Sequence, residues 1–392
     1  MLRITEYVKD SLSKKGCRPF SGAIVIWNIT NNCNLTCKHC YAYANQIKGK
    51  ELGSEDTISL IQQFKQSAVK LAILSGGEPL MRKDIFDITC ELKKAGIKTY
   101  LSTNGILIGE DNINRIKEQL DYIGISIDGE TGIHDSFRGR KGAFEDSLRA
   151  IRLCLKNGLK VGVRFTLTEN TQKSLPFIFE LARKEGIQKI YISHLVYSGR
   201  AGDLHDVDRD GYRRAIGFIL EKSFEYVDNN IPINVVTGNN DADAVMLLNA
   251  VKKRYPYIYD GLYERLRTWG GNQAGKRLVN IDSEGNVKPD PFFSDAVGNV
   301  RTRSFCEIWN SNGILSRLRE SPRRLHGRCG KCAYMRYATE IQGQGRISDT
   351  EIILRRIRHV IYKFKSGKTS PFRTKRSNPV FLYKIVLCPF LW

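Results

Sequence analysis

The chain has 392 residues, of which 41% are hydrophobic and 10% aromatic, so it can bury a sizeable core and is not a disordered polymer. Its length favours a large domain with a smaller one beside it. The net charge is +21, but residues 336–392 alone hold 12 Lys/Arg against 3 Asp/Glu. Without a helix-turn-helix, finger or RNP signature, this uneven excess argues against a dedicated nucleic-acid role.

The start of the chain predicts no targeting signal. It carries charges throughout and lacks the apolar centre of a signal peptide, and no apolar run approaches the length of a transmembrane helix. We therefore expect a cytoplasmic protein without a transmembrane segment. Its ten cysteines would then lie in a reducing compartment, where cysteine clusters favour metal binding over disulfides.

Short apolar runs rich in β-branched residues predict strands that are buried on both faces of a parallel sheet. Segments with helical periodicity lie between them, and several end in Lys or Arg followed by Gly, a normal helix stop. This alternation predicts an α/β fold, a partial (β/α)6 TIM-like barrel over residues 23–235. The predicted strands are 23–30, 71–75, 99–103, 122–128, 161–168 and 190–198, and the clearest helices are 57–68, 85–96 and 144–158.

The pattern changes after residue 235. Gly-, Asn- and Asp-rich segments and a predicted hairpin near 280–290 indicate a small auxiliary module over 236–335, while residues 1–22 form an N-terminal extension. Residues 336–392 form an atypical basic tail. Its abrupt change of composition leads to the hypothesis that the tail is read in a shifted frame, which one continuous gene frame would contradict.

The stretch NNCNLTCKHCYA (31–42) follows the first predicted strand and contains Cys33, Cys37 and Cys40. In (β/α) barrels, active-site groups lie on the loops after the carboxyl ends of the strands, where this stretch falls. A disulfide framework uses cysteines in pairs, and a structural zinc site usually has four ligands. Three thiols on one loop therefore suit a metal centre with one open coordination position.

The CxxxCxxC spacing resembles the radical S-adenosylmethionine (SAM) superfamily, and GGEP (76–79), STNG (102–105) and SIDG (126–129) follow the next three strands as in that family. The resemblance implies that the cysteines hold a [4Fe–4S] cluster and that SAM chelates its fourth iron. Reduction would then release a 5′-deoxyadenosyl radical. His39 stands where the family has an aromatic residue and is expected to pack over the cluster. The implied SAM contacts are Gly76, Gly77, Glu78, Asn104, Ser126, Asp128 and Arg164.

A finer resemblance is to the radical SAM enzymes of haem d1 biosynthesis (NirJ type), which are related to the alternative haem biosynthesis radical SAM proteins. HLVYSGR (194–200), TGNNDADA (237–244) and WGGNQAG (269–275) carry most of it. It implies hydrogen abstraction from propionates of 12,18-didecarboxysiroheme, with an electron donor such as ferredoxin or flavodoxin. A basic chain fits a substrate with several carboxylates. The candidate substrate contacts are Arg138, His194, Tyr197, Arg200, Asn240 and Asp241.

Several alternatives stay open at this point. His194 is either a substrate contact, a satisfied core histidine or a ligand to the substrate's iron, and 239–243 is either a site or a capping turn. The enzyme alternatives are removal of acetate groups from didecarboxysiroheme to give Fe-coproporphyrin III, and peptide maturation, for which residues 1–22 are too short to form a peptide-recognition domain. An iron–sulfur scaffold or redox sensor would hold a cluster without cleaving SAM.

CGKC, with Cys329 and Cys332, resembles the start of the auxiliary-cluster motif of SPASM/twitch-type modules. The family pattern continues with further cysteines, whereas here the next is Cys388. Two ligands do not complete a cubane, so the sequence leaves a second [4Fe–4S] cluster open. The remaining cysteines, Cys17, Cys90, Cys154 and Cys306, are expected to pack as small apolar residues.

Overall fold

The computed structural model describes residues 1–15, 22–46 and 49–320. The predictions for Cys17, Cys329, Cys332 and the basic tail fall outside these residues and stay predictions. Among the described residues, no helix is both long and apolar enough to cross a membrane.

Strands and helices alternate along most of the described chain. The strands are β1 (Leu2–Arg3), β2 (Ala23–Thr30), β3 (Val69–Gly76), β4 (Lys98–Thr103), β5 (Tyr122–Ser126), β6 (Val161–Leu167), β7 (Lys189–His194), β8 (Asn234–Gly238), β9 (Leu278–Ile281), β10 (Asn286–Lys288) and β11 (Gly298–Asn299). The helices are α1 (Ile4–Leu12), α2 (Ser54–Gln66), α3 (Ile85–Lys94), α4 (Ile113–Gln119), α5 (Thr131–Arg138), α6 (Ala143–Lys156), α7 (Leu175–Glu185), α8 (Arg209–Asp228), α9 (Ala242–Arg254), α10 (Tyr259–Trp269), α11 (Phe305–Ser311) and α12 (Gly313–Arg319).

The strands form one sheet in the order β1-β8-β7-β6-β5-β4-β3-β2-β9-β10-β11. From β2 to β8 each strand is parallel to its neighbour and follows it in chain order, as in a (β/α) barrel. The barrel is partial, because β8 pairs with β1 and β2 pairs with β9 rather than with each other.

All six predicted strands are present, and the predicted hairpin near 280–290 is formed by β9 and β10. The parallel part of the sheet has two strands beyond the six predicted: β9, which is also parallel to β2, and β8. Strand β8 spans the predicted division at 235/236 and pairs with β7 along five residues. Its sequence, NVVTG, is short and continues directly into the Asn- and Asp-rich segment, so the apolar run was too short to predict a strand.

The two faces of the strands differ more than their continuous apolar runs predicted. On β2, Val25, Trp27 and Ile29 are fully buried, whereas Ile24 and Ile26 are only half-buried. The first three pack towards the outer helices, and Ile24 and Ile26 line a central cavity. The interior of this barrel is therefore a binding space rather than a filled core.

The N-terminal extension is part of the barrel wall. Leu2 pairs with Thr237 on β8, and the Thr5 hydroxyl accepts a hydrogen bond from Val235 N at 3.0 Å. Ile4 and Val8 on α1 are fully buried. These contacts place α1 beside β8, at the edge where the barrel does not close.

Candidate active site

The central cavity has a volume of about 1020 Å³. This lies at the upper end of the range for small-molecule sites, so it has room for a cofactor and a large flat substrate. The cysteine loop (31–46) and the carboxyl ends of the strands line one part of it. A second wall comes from α1, α10 and the segment 269–278.

All three predicted cluster cysteines line this cavity, on the loop that follows β2. The loop conformation is held by polar contacts to its backbone. Asn45 accepts from Cys33 N at 2.7 Å and donates to Cys33 O at 2.8 Å. Arg200 donates from Nε to Cys37 O at 2.9 Å and from its backbone N to Cys40 O at 2.9 Å.

The thiols of Cys33 and Cys37 are protonated at neutral pH unless a metal binds them. Burial raises the pKa of Cys33 to about 12. Burial also raises the pKa of Cys37, against the opposing effect of the Arg138 guanidinium. Within the described ranges, no three His, Cys, Asp or Glu side chains are placed to bind one metal ion together. A cubane instead spreads its thiolates over separate irons, so three cysteines on one cavity-lining loop fit a [4Fe–4S] cluster.

The GGEP turn interlocks with the cysteine loop. A Cβ on Gly76 would lie 2.3 Å from Thr30 O, and one on Gly77 would lie 2.1 Å from Asn32 O. The backbone N–H groups of Gly77 and Glu78 donate to these same carbonyls, at 2.8 and 2.7 Å. Both glycines line the cavity, and their lack of a side chain is also what lets the two segments meet.

Glu78 is 1% exposed and lines the cavity. Its carboxylate accepts from the Thr103 hydroxyl at 2.7 Å and from Asn104 N at 2.9 Å. Burial raises the pKa of Glu78, and these hydrogen bonds oppose that effect. The side chain therefore ties the GGEP turn to the end of β4, in addition to facing the predicted SAM site.

Two of the predicted SAM contacts on the next strands face the cavity. Ser126 ends β5, and Arg164 on β6 lies with its guanidinium carbon 4.8 Å from the Tyr191 ring centroid. Arg164 makes no side-chain hydrogen bond to the described residues, so its donors are available to a ligand. Asn104 also lines the cavity, with its amide donating to Asn34 Oδ1 at 2.7 Å.

Asp128 differs from its predicted placement. It is fully buried and does not line the cavity. Its carboxylate accepts from Thr166 N at 2.9 Å and pairs with Arg138 at 2.5 Å. Asp128 therefore acts on the site indirectly, through Arg138 and the backbone of Thr166, which both line the cavity.

Arg138, predicted to bind substrate, lies beside the cluster loop. Besides its ion pair with Asp128, it donates from Nη1 to Cys37 Sγ at 3.7 Å. His39 stacks on Phe137 with ring centroids 4.3 Å apart. Burial, with the charges of Arg138 and Arg200, holds the pKa of His39 well below its usual value, so the ring is neutral.

Arg200, on the HLVYSGR segment, supports the cysteine loop and also lines the cavity. Arg200 adds a hydrogen bond from Nη1 to Ala44 O at 2.8 Å. A Cβ on Gly199, whose φ is +61°, would lie 2.2 Å from Cys40 O. Tyr197 does not line the cavity, and its hydroxyl accepts from Asp206 N at 3.2 Å.

His194 is 3% exposed and lines the cavity at the end of β7. Its Nε2 lies 2.9 Å from Asp243 Oδ2, and Asp243 Oδ1 accepts from the Tyr212 hydroxyl at 3.0 Å. Burial lowers the pKa of His194, but the charge and hydrogen bond of Asp243, together with the charge of Asp206, raise it overall. His194 is therefore a paired histidine on the cavity wall.

The remaining predicted contacts lie on the TGNNDADA segment. Asp241 lines the cavity and accepts from Asn272 N at 2.8 Å, which joins this segment to WGGNQAG. Asn240 does not line the cavity; its Oδ1 caps the start of α9 by accepting from Ala242 N at 3.1 Å. Asn240 thus fits the capping-turn alternative.

Sequence reasoning missed some residues of the cavity. Tyr41 lines it and hydrogen-bonds through its hydroxyl to Asn28 and Ser75, at 3.1 Å in both cases. Arg265 and Arg277 line the second wall. Arg277 lies two residues beyond the WGGNQAG segment (269–275), and only the fold shows that it approaches the barrel interior.

Comparison with known proteins agrees with this geometry. Residues 27–194 match the Radical SAM superfamily, and residues 273–333 match an iron-sulfur cluster-binding domain (SPASM). The chain is 40% identical over 345 residues to pre-heme d1 synthase of Dinoroseobacter shibae, covering 85% of both chains. The chain belongs to the radical SAM superfamily. The predicted fold, a radical SAM barrel followed by a SPASM-type module, is confirmed.

Two further comparisons place this radical SAM enzyme among its relatives. It is 34% identical to Fe-coproporphyrin III synthase of Methanosarcina barkeri, with 83% of each chain covered. The structure of Streptococcus suis SuiB bound to S-adenosylmethionine matches with a TM-score of 0.65, over 81% of this chain and 72% of that chain. At 16% identity this last match shows the fold alone. The superfamily's cofactors are a [4Fe–4S] cluster and SAM, as predicted.

Proposed function

We propose that this radical SAM enzyme acts in haem d1 synthesis, abstracting hydrogen from propionate side chains of 12,18-didecarboxysiroheme. The observation that carries the proposal is one large cavity with three cysteines at one part of its wall and several arginines around it. The 40% identity to a pre-heme d1 synthase over most of both chains supports this choice of substrate.

When bound, the reduced cluster and SAM supply a 5′-deoxyadenosyl radical, and the chain's own residues supply position and exclusion of water. Cys33, Cys37 and Cys40 would hold the cluster. Gly76, Gly77, Glu78, Asn104, Ser126 and Arg164 would shape and contact the SAM site beside it.

The residues predicted to bind substrate then divide into two groups. Arg138 and Arg200 support the cluster loop, because their donors are directed at Cys37 and at loop carbonyls. His194 and Asp241 also line the cavity, as Arg138 and Arg200 do, but within the described residues they make no contact with the cysteine loop, and we assign them to the substrate. An external reductant such as ferredoxin or flavodoxin completes the proposal, because this chemistry consumes electrons that the chain does not supply.

The test is anaerobic turnover of the reconstituted enzyme with didecarboxysiroheme, SAM and dithionite, followed by mass spectrometry of the tetrapyrrole. Modified propionates, together with 5′-deoxyadenosine, are the expected result. Cys37→Ala should give neither product, and Cys154→Ala is the matched control because Cys154 is buried between α6 and the sheet, away from the cavity.

A second candidate is removal of acetate groups from didecarboxysiroheme to give Fe-coproporphyrin III, which the 34% identity to a synthase of that compound favours. The same spectra distinguish the two, since this reaction leaves every propionate intact. A tetrapyrrole that is recovered unchanged, while SAM is cleaved, would contradict both functions.

A further inference from the structure

The arginines that the sequence assigned to substrate carboxylates line the cavity, but they direct most of their donors at the cysteine loop and at Asp128. Arg138 pairs with Asp128 at 2.5 Å and faces Cys37, and Arg200 donates to two carbonyls of the cysteine loop. Each keeps one buried donor without a partner among the described residues, and a substrate with several carboxylates can use further cations. The second wall supplies them, in residues that no motif had assigned.

Arg265, on α10, is 8% exposed and lines the cavity. Its Nη2 donates to Lys15 O at 2.5 Å, and its Nη1 lies 3.4 Å from Asp10 Oδ2. Its Nε is buried and has no hydrogen-bond partner in the described part of the chain. A buried guanidinium donor without a partner is costly, and an incoming carboxylate would satisfy it.

Arg277 lines the same cavity from the segment that leads into β9. Its backbone is fixed, because its carbonyl accepts from Ile24 N at 2.7 Å. Its guanidinium has no ion pair or hydrogen bond with the described residues. The backbone of Arg277 is thus fixed, and all the N–H donors of its guanidinium are available to a ligand.

The position of Arg277 along the barrel matters. It lies beside Ile24, near the first residue of β2, whereas the cysteine loop begins after Thr30, the last residue of that strand. Six residues of extended strand span about 20 Å. The cysteines and Arg277 therefore lie near opposite ends of β2, a separation comparable with the width of a substituted tetrapyrrole.

The second wall combines positive charge with apolar surface. Its charged lining residues are four cations, Arg3, Lys15, Arg265 and Arg277, and two carboxylates, Glu6 and Asp10. Between this wall and the cysteines, Ile24, Ile26 and Trp269 present apolar surface. An apolar macrocycle whose edge carries carboxylates matches this distribution.

We propose that Arg265 and Arg277 bind carboxylate side chains of the tetrapyrrole substrate and so direct the opposite edge of the macrocycle towards the cluster. This inference rests on the proposed function and adds to it the residues that orient the substrate.

The test compares two ligands on the reconstituted enzyme by Soret difference spectra: iron coproporphyrin III, whose propionates are free acids, and its methyl ester, which lacks those charges. The variants are Arg277→Gln and Arg265→Gln. The matched control is Arg152→Gln, because Arg152 lies outside the cavity in an exposed pair with Glu185. SAM cleavage without substrate verifies that each variant retains its cluster.

Arg277→Gln should weaken binding of the free acid by about tenfold or more, as expected for a lost charge-assisted hydrogen bond, and leave the ester unchanged. The control should bind both ligands as the wild type does. Arg265 also contacts Asp10 and Lys15 O, so binding by Arg265→Gln is compared only if this variant retains SAM cleavage. If it does not, Arg277→Gln alone decides whether the second wall binds substrate carboxylates.

Two results would overturn the inference, and they are distinguishable. In the first, the wild type prefers the free acid to the ester, and Arg277→Gln binds each ligand as tightly as the wild type does. The carboxylates are then bound elsewhere, and the proposed function stands. In the second, the wild type cleaves SAM but binds neither porphyrin and leaves didecarboxysiroheme unchanged. The proposed function then fails, and this inference fails with it.

Discussion

Arg138 shows that the partners of a residue decide its role. An arginine in a chain with a proposed carboxylate substrate looks like a substrate ligand. In the fold it is 8% exposed, paired with Asp128 and directed at Cys37 Sγ. Hydrogen bonds and charges near cluster sulfurs set the reduction potential of iron–sulfur centres. Arg138 is therefore expected to tune the cluster.

The first prediction follows from the charges of this pair. Arg138→Gln should lower the reduction potential of the cluster, because a cation beside a thiolate favours the more negative reduced state. Asp128→Asn should raise it, since the charge of Arg138 is then no longer offset. A redox titration followed by electron paramagnetic resonance measures both, with Arg152→Gln as the control. Shifts in the same direction, or none, would contradict this role.

His194 makes a prediction about pH and stability. Asp243 holds the pKa of His194 above its usual 6.5, so the folded state binds the proton more tightly than the unfolded chain does. The resulting stabilisation is complete below about pH 6.5 and is lost as the pH rises through the raised value. His194→Asn removes it.

Thermal unfolding of the wild type and of His194→Asn between pH 5.5 and 8.5 measures this difference. We expect the advantage of the wild type to be largest at the acid end and to shrink as the pH rises. Burial raises the pKa of the nearby Asp206 to about 6, which acts in the same direction. The charge of His194 lowers that pKa, so the Asp206 contribution is larger in His194→Asn and reduces the difference between the two proteins. A difference in Tm that does not change with pH would contradict the assignment.

At the scale of elements, the cysteine loop is held from three sides. The GGEP turn contacts the start of the loop at residues 30–32. The end of α5 forms hydrogen bonds with the loop at Cys37 and Lys38. The segment after β7 packs against the backbone of Cys40 and Tyr41. The loop has no regular secondary structure of its own, so its conformation depends on these neighbours.

Gly77→Ala tests the tightest of these contacts. The new Cβ would lie 2.1 Å from Asn32 O, a backbone atom that cannot move without shifting the loop. Overpacking of this kind typically costs about 1–3 kcal/mol, so we expect a lower Tm and a lower iron content after reconstitution. The control is Gly132→Ala on α5, where nothing lies within 4 Å of the added Cβ. Equal iron content in both variants would show that the loop adapts.

At the scale of the whole molecule, the open edge of the barrel creates the second wall of the cavity. Because β8 and β2 do not pair, α1, α10 and residues 269–278 cover the space between them. The N-terminal extension and the auxiliary module, which the sequence divided from the barrel, both contribute to this cover. The cavity is therefore formed jointly by the N-terminal extension, the barrel and the auxiliary module.

The iron content of the whole protein tests whether the auxiliary module holds a second cluster. Residues 273–333 match an iron-sulfur cluster-binding domain that includes Cys329 and Cys332. If they hold a second cubane, reconstituted enzyme should contain about eight irons, falling to about four in the variant Cys329→Ala/Cys332→Ala. About four irons in both proteins would show that only Cys33, Cys37 and Cys40 hold a cluster.

The sequence by itself determined the parts of this protein that depend on local pattern. Continuous β-branched runs and helical periodicity predicted the strands and the barrel, and the CxxxCxxC spacing with GGEP, STNG and SIDG predicted the family and its cofactors. These signals are readable because strand burial and cluster ligation each require particular residues at short, regular intervals.

Only the tertiary structure decided which polar residues face the cavity. Asp128 looked like a ligand contact but lies behind the cavity wall, paired with Arg138. Arg138 and Arg200 line the cavity but direct donors at Cys37 and the loop carbonyls, and Arg265 and Arg277, which stood in no motif, line it too. A side chain's partners come from segments far apart in the chain, up to 163 residues for Arg200 and Cys37. Because a buried charge must find such partners, its role is set by the fold that brings them together.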